Sequence, residues 1–167
     1  MKYKILCAFA ILSFAVASAH AQTPNAWTFS CGLPDEENNV VDNGRVLFTV
    51  GLLRCTTTGG GIAATAGKDS IVAYHREVSG TQVHVYGVFV QVFANGDVAG
   101  YAYEGAATMV NGQVKTAQLT YHINAGTGRM AGITGSGTCT MVYTPDGAST
   151  AACSGLYTLA APAPMKK

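Results

Sequence analysis

Apolar and polar residues alternate along most of this chain, and no stretch holds a helical period. The cleanest run is Gln113–Asn124. Ala117, Leu119, Tyr121 and Ile123 fall on one side, and Thr116, Gln118, Thr120 and His122 on the other. A period of two marks a strand with one buried face. Similar runs over 26–31, 45–57, 70–78, 81–94, 97–105, 113–124, 134–143 and 149–159 predict eight strands. Ser79-Gly80, Asn95-Gly96 and Asn111-Gly112 separate the central ones. Such dipeptides accept the positive φ of a tight hairpin turn. Gly32 to Gly44, with Pro34, Asp35, Glu36 and Glu37, reads as a solvated acidic loop, and its Asp42-Asn43-Gly44 as the turn into the next strand. Thr58 to Asp69, with Gly59-Gly60-Gly61, reads as a flexible connection at a barrel rim, without the spacing of a phosphate loop. The chain is thus expected to be all-β. Eight antiparallel strands close most economically into an up-and-down barrel, which leaves no open edge. A β-sandwich is the alternative.

Two-residue turns carry the inner face of one strand to the next, because directly paired residues share a face. Starting from Ala117, Leu119, Tyr121 and Ile123 inside, the inner face takes Val98, Gly100, Ala102 and Glu104. It then takes Val83, Val85, Gly87, Phe89, Gln91 and Phe93, and finally Val72, Tyr74, Arg76 and Val78. Gly87 falls opposite Glu104, and Gly100 opposite Gln91, leaving space beside polar groups. Polar groups on an inner face are rare unless paired or functional. Tyr74, Arg76, Phe89, Gln91, Phe93, Glu104 and Tyr121 are therefore the expected lining of a ligand-binding lumen. The outer face takes Tyr86, Val88, Val90 and Val92 beside Ala99, Tyr101 and Tyr103. A stripe of this kind marks an interface, so a homo-oligomer through Val88, Val90, Val92, Tyr101 and Tyr103 is expected.

The last forty residues add a covalent constraint. Thr144-Pro145-Asp146-Gly147-Ala148 has the composition of a tight turn. A three-residue loop over Pro145–Gly147 pairs Thr144 with Ala148 and brings Cys139 opposite Cys153. An even number of cysteines after the leader implies disulfides in an exported chain. The hairpin register selects Cys139–Cys153 and leaves Cys31–Cys55.

The stretch GTGRMAGITGSGT, within Gly126–Thr138, resembles the glycine-rich segment of small exported bacterial β-barrels related to allene oxide cyclase and the dirigent proteins. The resemblance implies an eight-stranded barrel, often trimeric, with a ligand cavity. It transfers no catalytic residue.

Lys2 and Lys4 followed by the apolar run Ile5–Val16 and Ala19-His20-Ala21 read as a secretory signal peptide, 1–21, cleaved after Ala21. A barrel domain over 22–160 and a flexible tail over 161–167 follow, in the periplasm or outside the cell. The apolar run is too short to span a bilayer. Without Lys2 and Lys4, eight of the ten basic residues remain against nine acidic ones. That balance excludes the basic patch a nucleic-acid partner needs. His75 is expected to face His84 on the outside, with His122 beside Tyr101, so no metal site is expected, and no cofactor. The expected function is binding of a small, partly apolar molecule in the lumen. A cyclase or isomerase using an inward Glu104 or Arg76, and a secreted protein-binding or inhibitor module, are the alternatives.

Overall fold

The computed structural model describes residues 21–62 and 66–160. Residues 1–20 and 161–167, with the expected leader and tail, lie outside the described residues. Nine strands are present among them: β1 (Thr23–Cys31), β2 (Glu36–Asp42), β3 (Arg45–Gly59), β4 (Ala66–Ser79), β5 (Gln82–Phe93), β6 (Val98–Val110), β7 (Gln113–Gly126), β8 (Thr134–Tyr143) and β9 (Ser149–Thr158). From β3 to β9 each pairs antiparallel with the next. β1 pairs with both β9 and β3, which closes an eight-stranded barrel. β2 stands outside this ring and pairs with β3 alone.

The expected acidic loop over Gly32–Gly44 is corrected by β2. Asn43 and Gly44 both adopt positive φ, 48° and 77°, and fold Val41-Asp42 back on Arg45-Val46. An Asn-Gly turn between apolar runs is the signal used elsewhere in this chain, and it holds here too. β1 and β2 therefore lie end to end along β3. β1 pairs with Cys55–Gly59 and β2 with Arg45–Leu52.

The register of β6 is the other correction. Ser79 pairs with Gln82, so the turn is Gly80-Thr81 and each β4 residue meets a partner two residues further along β5 than expected. That shift leaves the faces unchanged. At the β5–β6 turn, however, the Phe93 N–H donates to the Asp97 carbonyl at 2.9 Å across a three-residue loop, Ala94–Gly96. One extra residue reverses the face of everything beyond it. A second irregularity between Thr108 and Met109 leaves Lys115 unpaired on β7 and reverses it back. The inner faces of β4, β5 and β7 are therefore as expected, and only β6 is flipped. Ala99, Tyr101, Tyr103 and Ala107 point inward, while Gly100, Ala102 and Glu104 point outward. Burying two tyrosines rather than a carboxylate is also the cheaper choice.

The core is densest near the β5–β6 turn. Trp27 stacks on Phe89 at 5.3 Å between centroids, Phe29 on Phe89 at 5.6 Å, and Tyr101 meets Phe89 edge-on at 5.1 Å. Such pairs add about 0.5–1.5 kcal/mol each beyond their buried area. Both expected disulfides form. Cys139 and Cys153 are directly paired across β8 and β9, and Cys31 and Cys55 across β1 and β3.

Candidate functional site

The inner wall carries an alternation that the strand pairings make continuous. Glu37 pairs with Gly51, Gly51 with Tyr74, Tyr74 with Gly87, and Gly87 with Tyr103. Tyr103 pairs with Tyr121, Tyr121 with Gly137, and Gly137 with Gly155. Each tyrosine lies over a glycine. A Cβ on Gly51 would come within 2.5 Å of the Tyr74 ring, and one on Gly137 or Gly155 within 2.6 Å of the Tyr121 hydroxyl. Tyr103 crosses Gly87 and donates to the Ala73 carbonyl at 3.2 Å. These rings lie flat along the wall because the wall has no side chains beneath them.

Flattened rings leave room. A cavity of about 620 Å³ runs through the barrel toward the β6–β7 and β8–β9 turns. Trp27, Phe29, Phe89, Tyr101, Tyr103 and Tyr121 line it deep inside, with Val72, Val83 and Val85 between them. Its mouth is bounded by Leu33, Pro34, Glu37, Asn39, Arg76, Tyr143 and Pro145. This size and composition, apolar walls with a few convergent polar groups, are those of a small-molecule site.

The polar groups gather at the mouth on one carboxylate. The Glu37 Oε2 accepts from the Arg76 guanidinium at 2.9 Å and from the Tyr74 hydroxyl. The Asn39 Nδ2 donates to the other Glu37 oxygen at 3.2 Å, and Asn39 Oδ1 in turn accepts from Thr49 at 2.7 Å. The Arg76 guanidinium sits 5.2 Å from the Tyr74 ring centroid, in cation–π range. Gly51 makes this cluster possible, since any side chain there would block Tyr74 from reaching β2.

Burial, and then the bond to Glu37, holds the Tyr74 hydroxyl far above its ordinary pKa, against the opposing charge of Arg76. Burial does the same to Tyr101 and Tyr103. It also raises Tyr143, opposed by Arg76, and Tyr121, opposed by Trp27 and Asn25. The Trp27 indole N–H and the Asn25 amide approach the Tyr121 hydroxyl without closing a well-formed hydrogen bond. The phenols therefore stay protonated at neutral pH, and those of Tyr74, Tyr101 and Tyr103 donate hydrogen bonds.

Of the expected lumen residues, the structure brings Tyr74, Arg76, Phe89 and Tyr121 to the cavity wall. Gln91 and Phe93 are buried but do not line it, and the Gln91 Oε1 accepts from the Tyr101 hydroxyl at 2.8 Å. Glu104 is corrected. It is exposed on the outer wall, in a shallow hollow with His84, Gln118, Thr120 and Thr138. Gly87 is not opposite Glu104 but opposite Tyr103, whose hydroxyl occupies the space above it. Tyr101 and Tyr103 cannot belong to an outer stripe, because both line the lumen. The histidines also change partners. His75 pairs with Tyr86, His84 with Glu77, and His122 with Ala102. Among the described residues no group of three or more His, Cys, Asp or Glu side chains could hold a metal ion. Sequence reasoning missed Glu37, Asn39, Trp27, Tyr103 and Tyr143. The Asn43-Gly44 turn was the available signal for the first two, and β6 register the obstacle for Tyr103.

No protein-family model matches the sequence, and no curated protein matches it. Solved structures do. The pterocarpan synthase dirigent protein PsPTS1 superposes with a TM-score of 0.54 at 15% identity, covering 85% of this chain and 97% of that one. The pterocarpan synthase dirigent protein GePTS1 does so with a TM-score of 0.53 at 12% identity, covering 91% of this chain and 100% of that one. The barrel is a dirigent-like fold. At these identities the likeness is one of architecture and carries no residue roles.

Proposed function

We propose that this protein is an exported barrel that binds a small, partly apolar molecule in its lumen. The observation that carries the reading is the 620 Å³ cavity, walled mainly by apolar and aromatic side chains, with its charged groups at the mouth. Trp27, Phe89, Tyr103 and Tyr121 would hold the ligand's apolar body, while Arg76, Tyr74 and Tyr143 would orient its polar end. The dirigent-like architecture supports a ligand in this position. The two disulfides favour an oxidising compartment, and the basic and apolar N-terminal stretch favours cleavage after Ala21. On the outer wall, exposed Val50, Ile71 and Val88 support self-association through the β3–β5 face, now without Tyr101 and Tyr103.

Trp27 is the single tryptophan and lines the cavity, so its fluorescence reports on the lumen. Native mass spectrometry of the purified protein should show a bound small molecule, and its removal should change Trp27 emission. A ligand that is bound and released with no change at Trp27 would place the site elsewhere. The enzymatic alternative moves from Glu104 to Glu37, whose bond to Tyr74 places a carboxylate and a phenol at the same mouth. Conversion of the bound molecule by wild type but not by Glu37→Gln, with binding retained, would favour it.

A further inference from the structure

We infer that β2 is a movable wall of the cavity mouth, latched by Glu37, and that its displacement sets the rate at which ligand enters and leaves. The inference rests on the lumen being the binding site. Every strand of the ring has backbone partners on both sides, but β2 has them on one side only. The chain leaves the ring at Cys31, where β1 still pairs with Cys55 on β3 and Ser149 on β9. Beyond that point β9 has ended, and the next backbone on this side is the Thr144–Ala148 turn. No strand ladder joins β2 to that turn among the described residues. The wall has a seam there, beside the mouth.

What crosses the seam is thin. Leu33 leans on the β8–β9 turn, with its Cδ2 3.3 Å from where a Cβ on Gly147 would lie. All seven residues of β2 are exposed, and none enters the core. Toward the lumen β2 is held by Glu37, which reaches past Gly51 to Tyr74 and Arg76 on β4, and by the Asn39–Thr49 bond. A single-sided strand with few buried contacts belongs to the low end of local stability. The Cys31–Cys55 disulfide fixes the base of this wall where it leaves the ring, so motion of β2 need not open the barrel below. A residue that only binds ligand changes affinity, whereas one that holds a gate changes both rates together.

The experiment uses the full mature chain and N-phenylnaphthylamine, a neutral aromatic probe, followed by stopped-flow quenching of Trp27. In Glu37→Gln, association and dissociation should both rise by tenfold or more, with Kd within threefold of wild type. A short bis-maleimide bridging Leu33→Cys and Asp146→Cys should slow both rates by a similar factor, relative to each single variant labelled alone. Circular dichroism of each variant confirms the barrel is retained. Unchanged rates in both Glu37→Gln and the cross-linked protein, with the probe still quenching Trp27, would overturn the gate alone. A Kd that weakens at constant association rate would also overturn it, by making Glu37 a ligand contact. Failure of the probe to quench Trp27 in the wild type would overturn the lumen reading itself.

Discussion

The two ends of the barrel are built by different means. Near the β5–β6 turn the wall is a continuous ladder, packed from within by Trp27, Phe29, Phe89 and Tyr101. Near the β6–β7 turn the wall is interrupted between β2 and the β8–β9 turn, where Leu33 leans across, and the Glu37 side chain ties β2 to β4 over β3. Ladder and packing together are cooperative, since each strand is fixed by two neighbours and by the core. The Glu37 cluster is a set of partly exposed polar links, which are individually weak. The difference is one of burial: the packed end holds most of the aromatic core, whereas every residue of β2 at the other end is exposed.

Breaking both ends at once should give the largest effect. Tyr74, Tyr101, Tyr103, Tyr121 and Tyr143 all keep their protons longer in the folded chain than in the unfolded one. Their contribution is complete below the unfolded tyrosine pKa of about 10 and is lost as pH rises above it. Alkaline titration followed at 295 nm should therefore show a cooperative step coincident with loss of the β-sheet signal. Gradual ionisation in a chain that stays folded would contradict this.

Phe89→Ala attacks the packed end alone. It should cost about 3–5 kcal/mol in urea denaturation. Removing either disulfide by a double alanine substitution should cost about 3 kcal/mol for loops of 24 and 14 residues. The two should differ in hydrogen exchange: loss of Cys31–Cys55 should speed exchange in β2 and the upper part of β3, whereas loss of Cys139–Cys153 should not.

Gly51→Ala attacks the join between the two ends. The Tyr74 ring must move off the wall, at a cost of about 1–3 kcal/mol. Probe binding should weaken at least tenfold, because the ring has only the lumen to enter. The smallest effects sharpen the comparison. Glu37→Gln should change stability by less than about 1 kcal/mol, although it should speed probe exchange at the mouth. Glu104→Gln, on the outer wall, should stay within about 0.5 kcal/mol and leave probe binding unchanged.

How far the sequence revealed this molecule varies by strand. The barrel was legible because alternation, Asn-Gly turns and the Cys139–Cys153 pairing are local signals that reinforce one another. The inner faces of β4, β5 and β7 followed from the register, although β5 was reached through two shifts that cancel. β6 was not legible by turn counting. Ala94-Asn95-Gly96 and Asn95-Gly96 alone are different loops with the same dipeptide, and nothing near Lys115 announces an irregularity. The alternation within β6 itself favoured Tyr101 and Tyr103 inside, and it was the better guide. Glu37 was hidden for another reason. Asp35-Glu36-Glu37 has the composition of a solvated loop, and only the pairing of Val40-Val41 with Val46 and Phe48 makes a strand of it. A carboxylate reached from two strands away leaves no local trace.

The tyrosine-over-glycine row has a consequence for how such a lumen can diversify. In most pockets, shape is altered by replacing residues that touch the ligand. Here Gly51 lies directly beneath the Tyr74 ring, so a single methyl group there would swing a whole ring inward, whereas one on Gly87, Gly137 or Gly155 would first meet the backbone of the neighbouring strand. A small change behind the lining is thereby amplified, at this one position, into a large change of the space in front of it. The volume of the lumen is thus set in part by a residue that is not among its lining.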